Sequence, residues 1–172
     1  MAVEVRRIRA GEGGLLRDVR LAALVDAPSA FESTFDDEVG RPSSGWDGDA
    51  ATRAAGFEAA NFFAEDDGRV LGLVGAFRPA GGADVVELVS MWVHPDGRGR
   101  GLGERLVAAV IDWAGAAGAA KVALWVMRGN YPAIGLYTRM GFVSLGETKA
   151  YVGHPCDGEL RMTLELGDES RA

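Results

Sequence analysis

Cysteine and histidine are almost absent from this chain: Cys156, His94 and His154 are all there is in 172 residues. A lone thiol excludes an internal disulfide and a thiolate metal cluster, and two histidines far apart in sequence make no metal site. No uninterrupted apolar run reaches the roughly 20 residues that cross a bilayer. The opening segment, Met1 to Arg9, lacks the apolar block of a secretory signal. These absences predict a cytoplasmic protein with no metal and no membrane attachment. Positive charge is also scarce: 18 Lys and Arg against 25 Asp and Glu leave a net charge of −7. That balance argues against nucleic acid as a partner and weakly favours a cationic one.

What is present suits one globular domain. Hydrophobic residues make up 48% and charged residues 25%, and no linker interrupts them. Residues 1–166 are therefore read as a single domain and 167–172 as a polar tail.

The most informative stretch is Arg98-Gly99-Arg100-Gly101-Leu102-Gly103. It follows a strongly apolar run, Val85 to Val93, and the punctuation His94-Pro95-Asp96-Gly97, and it opens a segment of helical periodicity, Leu102 to Ala117. Strand, glycine turn and helix start together leave several backbone N–H groups converging at the positive end of a helix, where a phosphate or diphosphate can sit. Register separates the candidate anion motifs. A Walker loop fails because Glu104 and Arg105 follow Gly103, and a dinucleotide GxGxxG fails at Leu102 or Glu104. What remains is Arg-x-x-Gly-x-Gly, filled by Arg98, Gly101 and Gly103.

Around it, Val3 to Arg9 alternates like a half-exposed strand, and Leu15, Leu16, Val19, Ala22, Ala23 and Val25 fall at helical spacing up to the stop at Pro28. Ser29 to Gly48 is irregular and acidic, with Phe31, Phe35 and Trp46 as its large apolar residues. Ala50 to Ala60 reads as a second helix. Asn61–Glu65 and Arg69–Arg78 form a hairpin about Asp66-Asp67-Gly68. Lys121 to Met127 is a strand reached by a right-handed crossover, hence parallel to Val85–Val93. Tyr131 to Met140 is a short helix ended by Gly141, and Phe142–Tyr151 with Glu159–Leu166 close the chain as an antiparallel pair.

In this order, the Arg98–Gly103 turn, the strand after it, the Asn130-x-x-Ala133-x-x-x-Tyr137-x-x-x-Gly141-Phe142 block and the closing hairpin resemble the GCN5-related N-acetyltransferase superfamily. The likeness spans Val3 to Leu166 in architecture and Val85 to Phe142 in motif, and Arg17 to Pro28 with Phe31 looks like a small bacterial branch. It implies an α/β (α+β) fold: a mixed, mostly antiparallel sheet with one splayed parallel pair and helices on both faces.

It also implies acetyl-CoA as co-substrate, its diphosphate held by residues Arg98, Gly99, Arg100, Gly101, Leu102 and Gly103. Main-chain groups of Met91 and Val93 would take the pantetheine arm and thioester carbonyl, with Asn130 and Ala133 beside the arm. Tyr137 stands at the family's general-acid position. Glu87, at the offset of the catalytic glutamate of the histone-acetylating branch, or ordered water, would be the base. Phe31, Phe35, Trp46 and Glu87 are expected to wall the acceptor, a small cationic amine. A protein N-terminus or lysine, or a non-catalytic acyl-CoA sensor, are the alternatives. Dimers are common among such proteins, and the last hairpin is the contact one would use.

Overall fold

The computed structural model describes residues 3–82, 84–151 and 154–167, with the side chains of residues 151 and 154–157 outside that description. His154, Cys156 and the tail after residue 167 thus lie outside the described side chains. The elements run β1 (Glu4–Arg7), α1 (Gly13–Asp26), α2 (Phe35–Val39), α3 (Ser43–Ala54), β2 (Ala59–Asp66), β3 (Arg69–Phe77), β4 (Val85–Val93), α4 (Leu102–Ala116), β5 (Lys121–Met127), α5 (Tyr131–Arg139), β6 (Thr148–Tyr151) and β7 (His154–Glu165). The strands form one sheet in the order β1-β2-β3-β4-β5-β7-β6. Among the described residues only β4 and β5 pair in parallel; the other neighbours are antiparallel.

Alternation along the strands supplies two cores, one on each face. On β2, Phe62 enters the core under α4 and Phe63 the core under α1 and α3. Helix α4 buries Leu106, Val107 and Val110 in the first of these, while Leu16 and Leu24 of α1 and Trp46 and Ala50 of α3 fill the second. Trp46 and Ala50 stand one turn apart, so a single stripe of α3 faces the sheet.

Strand β4 changes sides halfway. Val86 and Leu88 point into the core under α4, yet Trp92, of the same parity, points into the core under α1. The reversal has a local cause: the pairing with β3 slips between Leu73 and Gly75, opposite Val89 to Trp92, and Ser90 sits there at φ 54°. One surplus residue in a strand inverts every side chain after it and bends the strand.

The sequence places the second helix too late. It runs from Ser43 to Ala54, and Ala59 and Ala60 already belong to β2. Pro42, with φ −64°, starts α3, but Gly45 and Gly48 inside it obscure the periodicity, because glycine is a poor helix former. The acidic stretch before it is also ordered. Thr34 and Asp37 form a reciprocal capping box, Asp37 N–H donating to Thr34 Oγ1 at 3.2 Å and Thr34 N–H to Asp37 Oδ2 at 2.9 Å. Strand β7 lies between β5 and β6, and only Val143 of the residues expected to begin β6 makes a bridge, to Thr163.

Phe142, 1% exposed, packs its ring 5.7 Å from that of Tyr137. Phe142→Ala is expected to lower the unfolding free energy by about 3–5 kcal/mol, checked by urea titration.

Candidate active site

The glycine turn adopts the expected form. Pro95–Gly97 makes a single helical turn, and Gly101 caps α4 at φ 71°, a left-handed conformation that glycine takes without steric cost. Among the described residues, the amides of 99–103 donate to no backbone carbonyl, whereas Arg98 N–H reaches Pro95 O and Arg105 N–H reaches Gly101 O. A row of free donors at a helix start fits a diphosphate. Gly103 also lies close to α5: a Cβ there would stand 3.1 Å from Leu136 Cδ2, so that side chain would have to shift.

Both flanking arginines are engaged by carboxylates. Arg100 Nη2 donates to Asp66 Oδ2 at 2.6 Å, and Arg98 pairs with Asp26 while its Nε donates to Val93 O at 3.1 Å. Asp26, the last residue of α1, also accepts from Trp92 Nε1 at 2.8 Å. One carboxylate thereby joins α1, β4 and the glycine turn. His94 is a structural residue, its Nδ1 accepting from Asp96 N–H at 3.1 Å and its ring standing edge-on to Trp92.

Beyond the turn the sheet opens. The β4–β5 pairing extends only over Val85–Glu87 and Lys121–Ala123, while β5 continues against β7 as far as Met127. The gap forms a cleft of about 100 Å³ whose walls include Met91, Trp125, Asn130, Ala133 and Tyr137. Asn130 caps α5, its Oδ1 accepting from Ala133 N–H at 3.2 Å, which leaves the side-chain amide NH₂ as a donor. Tyr137 is 5% exposed, and burial pushes its hydroxyl well above the usual phenol range. The hydroxyl therefore keeps its proton at neutral pH.

A second cleft, of about 450 Å³, adjoins the first through Phe31, Leu88, Ser90 and Trp125. The expected acceptor wall is only partly assembled there. Phe31 lines it, under the Arg20 guanidinium at 4.4 Å. Phe35, half-exposed on α2, lines neither cleft. Trp46 is buried and borders an adjoining pocket instead. Glu87 lines the cleft, but both of its oxygens accept from Arg161, at 2.7 and 2.5 Å. Such a forked pair takes one lone pair on each carboxylate oxygen.

Nor is the wall simply acidic. Glu38, 8% exposed, accepts from Arg20 at 3.0 Å and 3.2 Å; Lys149 bridges Glu32 and Glu159 at 3.2 and 2.9 Å. Arg20 and Trp125 also line this cleft, and Arg161 stands behind Glu87; Trp125 is half-buried beneath Lys149 and Arg161. Ser90 carried a usable signal, a lone hydroxyl in the apolar run Leu88–Val93; its Oγ accepts from Arg20 Nη1 at 2.7 Å.

A mixed sheet splayed at its single parallel pair, with a free-amide turn at the head of the splay, defines an acyltransferase of the CoA-thioester class. Residues 24–142 match the acetyltransferase (GNAT) family model, and the chain belongs to that family. It is an N-acetyltransferase with acetyl-CoA as donor. Among curated relatives it is 33% identical over 141 residues to an L-methionine sulfoximine/L-methionine sulfone acetyltransferase of Pseudomonas paraeruginosa, covering 75% of this chain and 81% of that one. It is 36% identical over 100 residues to a mycothiol acetyltransferase of Saccharomonospora viridis, covering 54% of this chain and 33% of that one. In fold it is similar to a GNAT acetyltransferase of Streptococcus pneumoniae, with TM-score 0.81, 20% identity and coverage of 96% and 100%. A putative acetyltransferase of Salmonella typhimurium, solved with acetyl-CoA, gives TM-score 0.80 at 19% identity, with coverage of 100% and 98%. No helix among the described residues is long and apolar enough to cross a membrane.

The Trp92 indole, and after it Arg98, hold the Asp26 carboxyl below the usual carboxylate range. Its contribution to stability is complete above the unfolded value of about 3.9 and is lost as pH falls through the lower folded value. Asp26→Asn is accordingly expected to lower the urea midpoint at neutral pH, with the difference from wild type narrowing as pH falls below about 3.9.

Proposed function

We propose that this protein transfers an acetyl group directly to the primary amine of a small polar metabolite held in the cleft beside Phe31 and Trp125. The observation that carries the reading is one continuous cleft in which unpaired β4 backbone, the Asn130 amide and the Tyr137 hydroxyl meet, next to free amides 99–103. Acetyl-CoA, when bound, supplies the activated acetyl and a thiolate leaving group. The amides of 99–103 bind the diphosphate, and Arg98 and Arg100 turn to it from Asp26 and Asp66. Backbone groups of Met91 and Val93, freed by the splay, hydrogen-bond the amide-rich arm as a neighbouring strand would. Asn130 and Ala133 fix its far side.

Tyr137, kept protonated by burial, delivers a proton to the departing sulfur. The amine loses its proton to water rather than to Glu87, whose oxygens are committed to Arg161. Holding amine against thioester contributes on the order of 7–11 kcal/mol, the larger share of the barrier reduction. The acceptor belongs to the class acted on by the Pseudomonas relative, a small amine related to amino acids.

The test is thiol release from acetyl-CoA over a panel of amino acids, polyamines, aminoglycosides and lysine or N-terminal peptides. Turnover confined to peptides, or to none of the panel, overturns the reading. Tyr137→Phe is expected to lower kcat by about 10²- to 10⁴-fold, evenly from neutral to about pH 10, since the phenol does not titrate there. Coenzyme A alone should raise the melting temperature, by an amount equivalent to about 2.7 kcal/mol at a hundredfold excess over Kd. Gly101→Trp should abolish that rise while leaving the far-ultraviolet circular dichroism unchanged.

A further inference from the structure

Next to the acceptor cleft, and sharing Arg20, Phe77, Val89 and Ser90 with it, is a pocket of about 190 Å³ between β4, α1 and α3. Its polar lining is rich in donors. Arg20 is paired with Glu38, and Arg41 with Asp49 at 2.8 Å while lying 4.3 Å over the Trp46 ring. Arg53 differs: its Nη1 donates to the neutral Oδ1 of Asn61 at 3.1 Å, and among the described residues it has no carboxylate partner. Asn61 is 6% exposed and Trp46 2%. Trp46 Nε1, on the same wall, is buried with no hydrogen-bond partner among the described residues. Three guanidiniums face two carboxylates, so the pocket carries a surplus positive charge and a spare buried N–H. A buried donor left unpaired is costly, and the guanidinium fork matches a carboxylate in geometry and charge.

We infer that this pocket is the subsite for a carboxylate of the acceptor, bound by Arg53 with Arg41 and the Trp46 N–H, so that the enzyme selects amines that also carry an acid group. The inference rests on the acetyltransferase reading and refines its substrate class, from a small amine to a zwitterionic, α-amino-acid-like one. It also reverses the sign expected from the acidic composition of residues 29–49, because Glu38 and Asp49 are already spent on Arg20 and Arg41. Ser90 marks the junction. Its backbone lies at the bend of β4, while its hydroxyl is held by Arg20, so a short molecule can place its amine on one side of the bulge and its carboxylate on the other.

The experiment compares L-methionine sulfone and a set of common L-amino acids with their methyl esters, which keep the amine and lose the negative charge. Binding is measured by calorimetry in the presence of coenzyme A, and turnover by thiol release from acetyl-CoA. At least one acid is expected to exceed its own ester by about tenfold or more in affinity and in kcat/KM, as loss of a charge-assisted hydrogen bond requires. In Arg53→Ala that ratio should fall towards one, and Arg53→Lys, which keeps the charge, should restore part of it. A coenzyme A-induced rise in melting temperature in both variants certifies their fold. Equal affinity for acids and esters, preference for esters, no binding of either, or an unchanged ratio in Arg53→Ala would each overturn the subsite. Acid-selective, Arg53-dependent binding without thiol release would instead uphold the subsite and refute catalysis.

Discussion

The structure turns on backbone groups that β4 cannot satisfy within the sheet. From Leu88 onward the edge facing β5 has no strand beside it, because the parallel pairing ends at Glu87. Peptide groups must be matched by protein, water or ligand, and an amide-rich arm laid along that edge meets the requirement in the way a missing strand would. The glycine turn at the head of the gap and α5 along its flank then give such a ligand fixed ends, and Tyr137, packed against Phe142, lines the gap.

A polar network joins the elements on the acceptor side to β4. Arg20 reaches from α1 to Glu38, Ser33 and Ser90 and stacks on Phe31, thereby tying the acceptor-side loops to the bulge. Arg20 and Glu38 are both largely out of solvent, at 16% and 10% side-chain exposure. Removing one member of such a pair leaves a stranded charge, which typically costs 3–5 kcal/mol; the loop between α1 and α3 is thereby coupled to the geometry of β4. Asp26 makes the corresponding tie at the donor end, between α1, Trp92 and Arg98.

The donor half was legible in the sequence because its chemistry is local. A free-amide turn, the strand before it and the helix after it occupy adjacent residues, and periodicity fixes α4, β5 and α5 to within a residue or two. The acceptor half is assembled from residues far apart in the chain. Glu87 finds Arg161, and Arg20 finds Ser90. Nothing in the acidic run from Ser29 to Asp49 distinguishes Glu38, which is buried and paired, from Asp36, which is exposed. Two glycines hid α3, and composition does not disclose that Glu38 and Asp49 are taken up by Arg20 and Arg41.

The bulge at Ser90 divides β4 into two halves of opposite phase. A change of one residue in the length of this strand would send Trp92 to the other face and separate it from Asp26. Only insertions or deletions in pairs preserve both halves, so the strand keeps its function by keeping its parity.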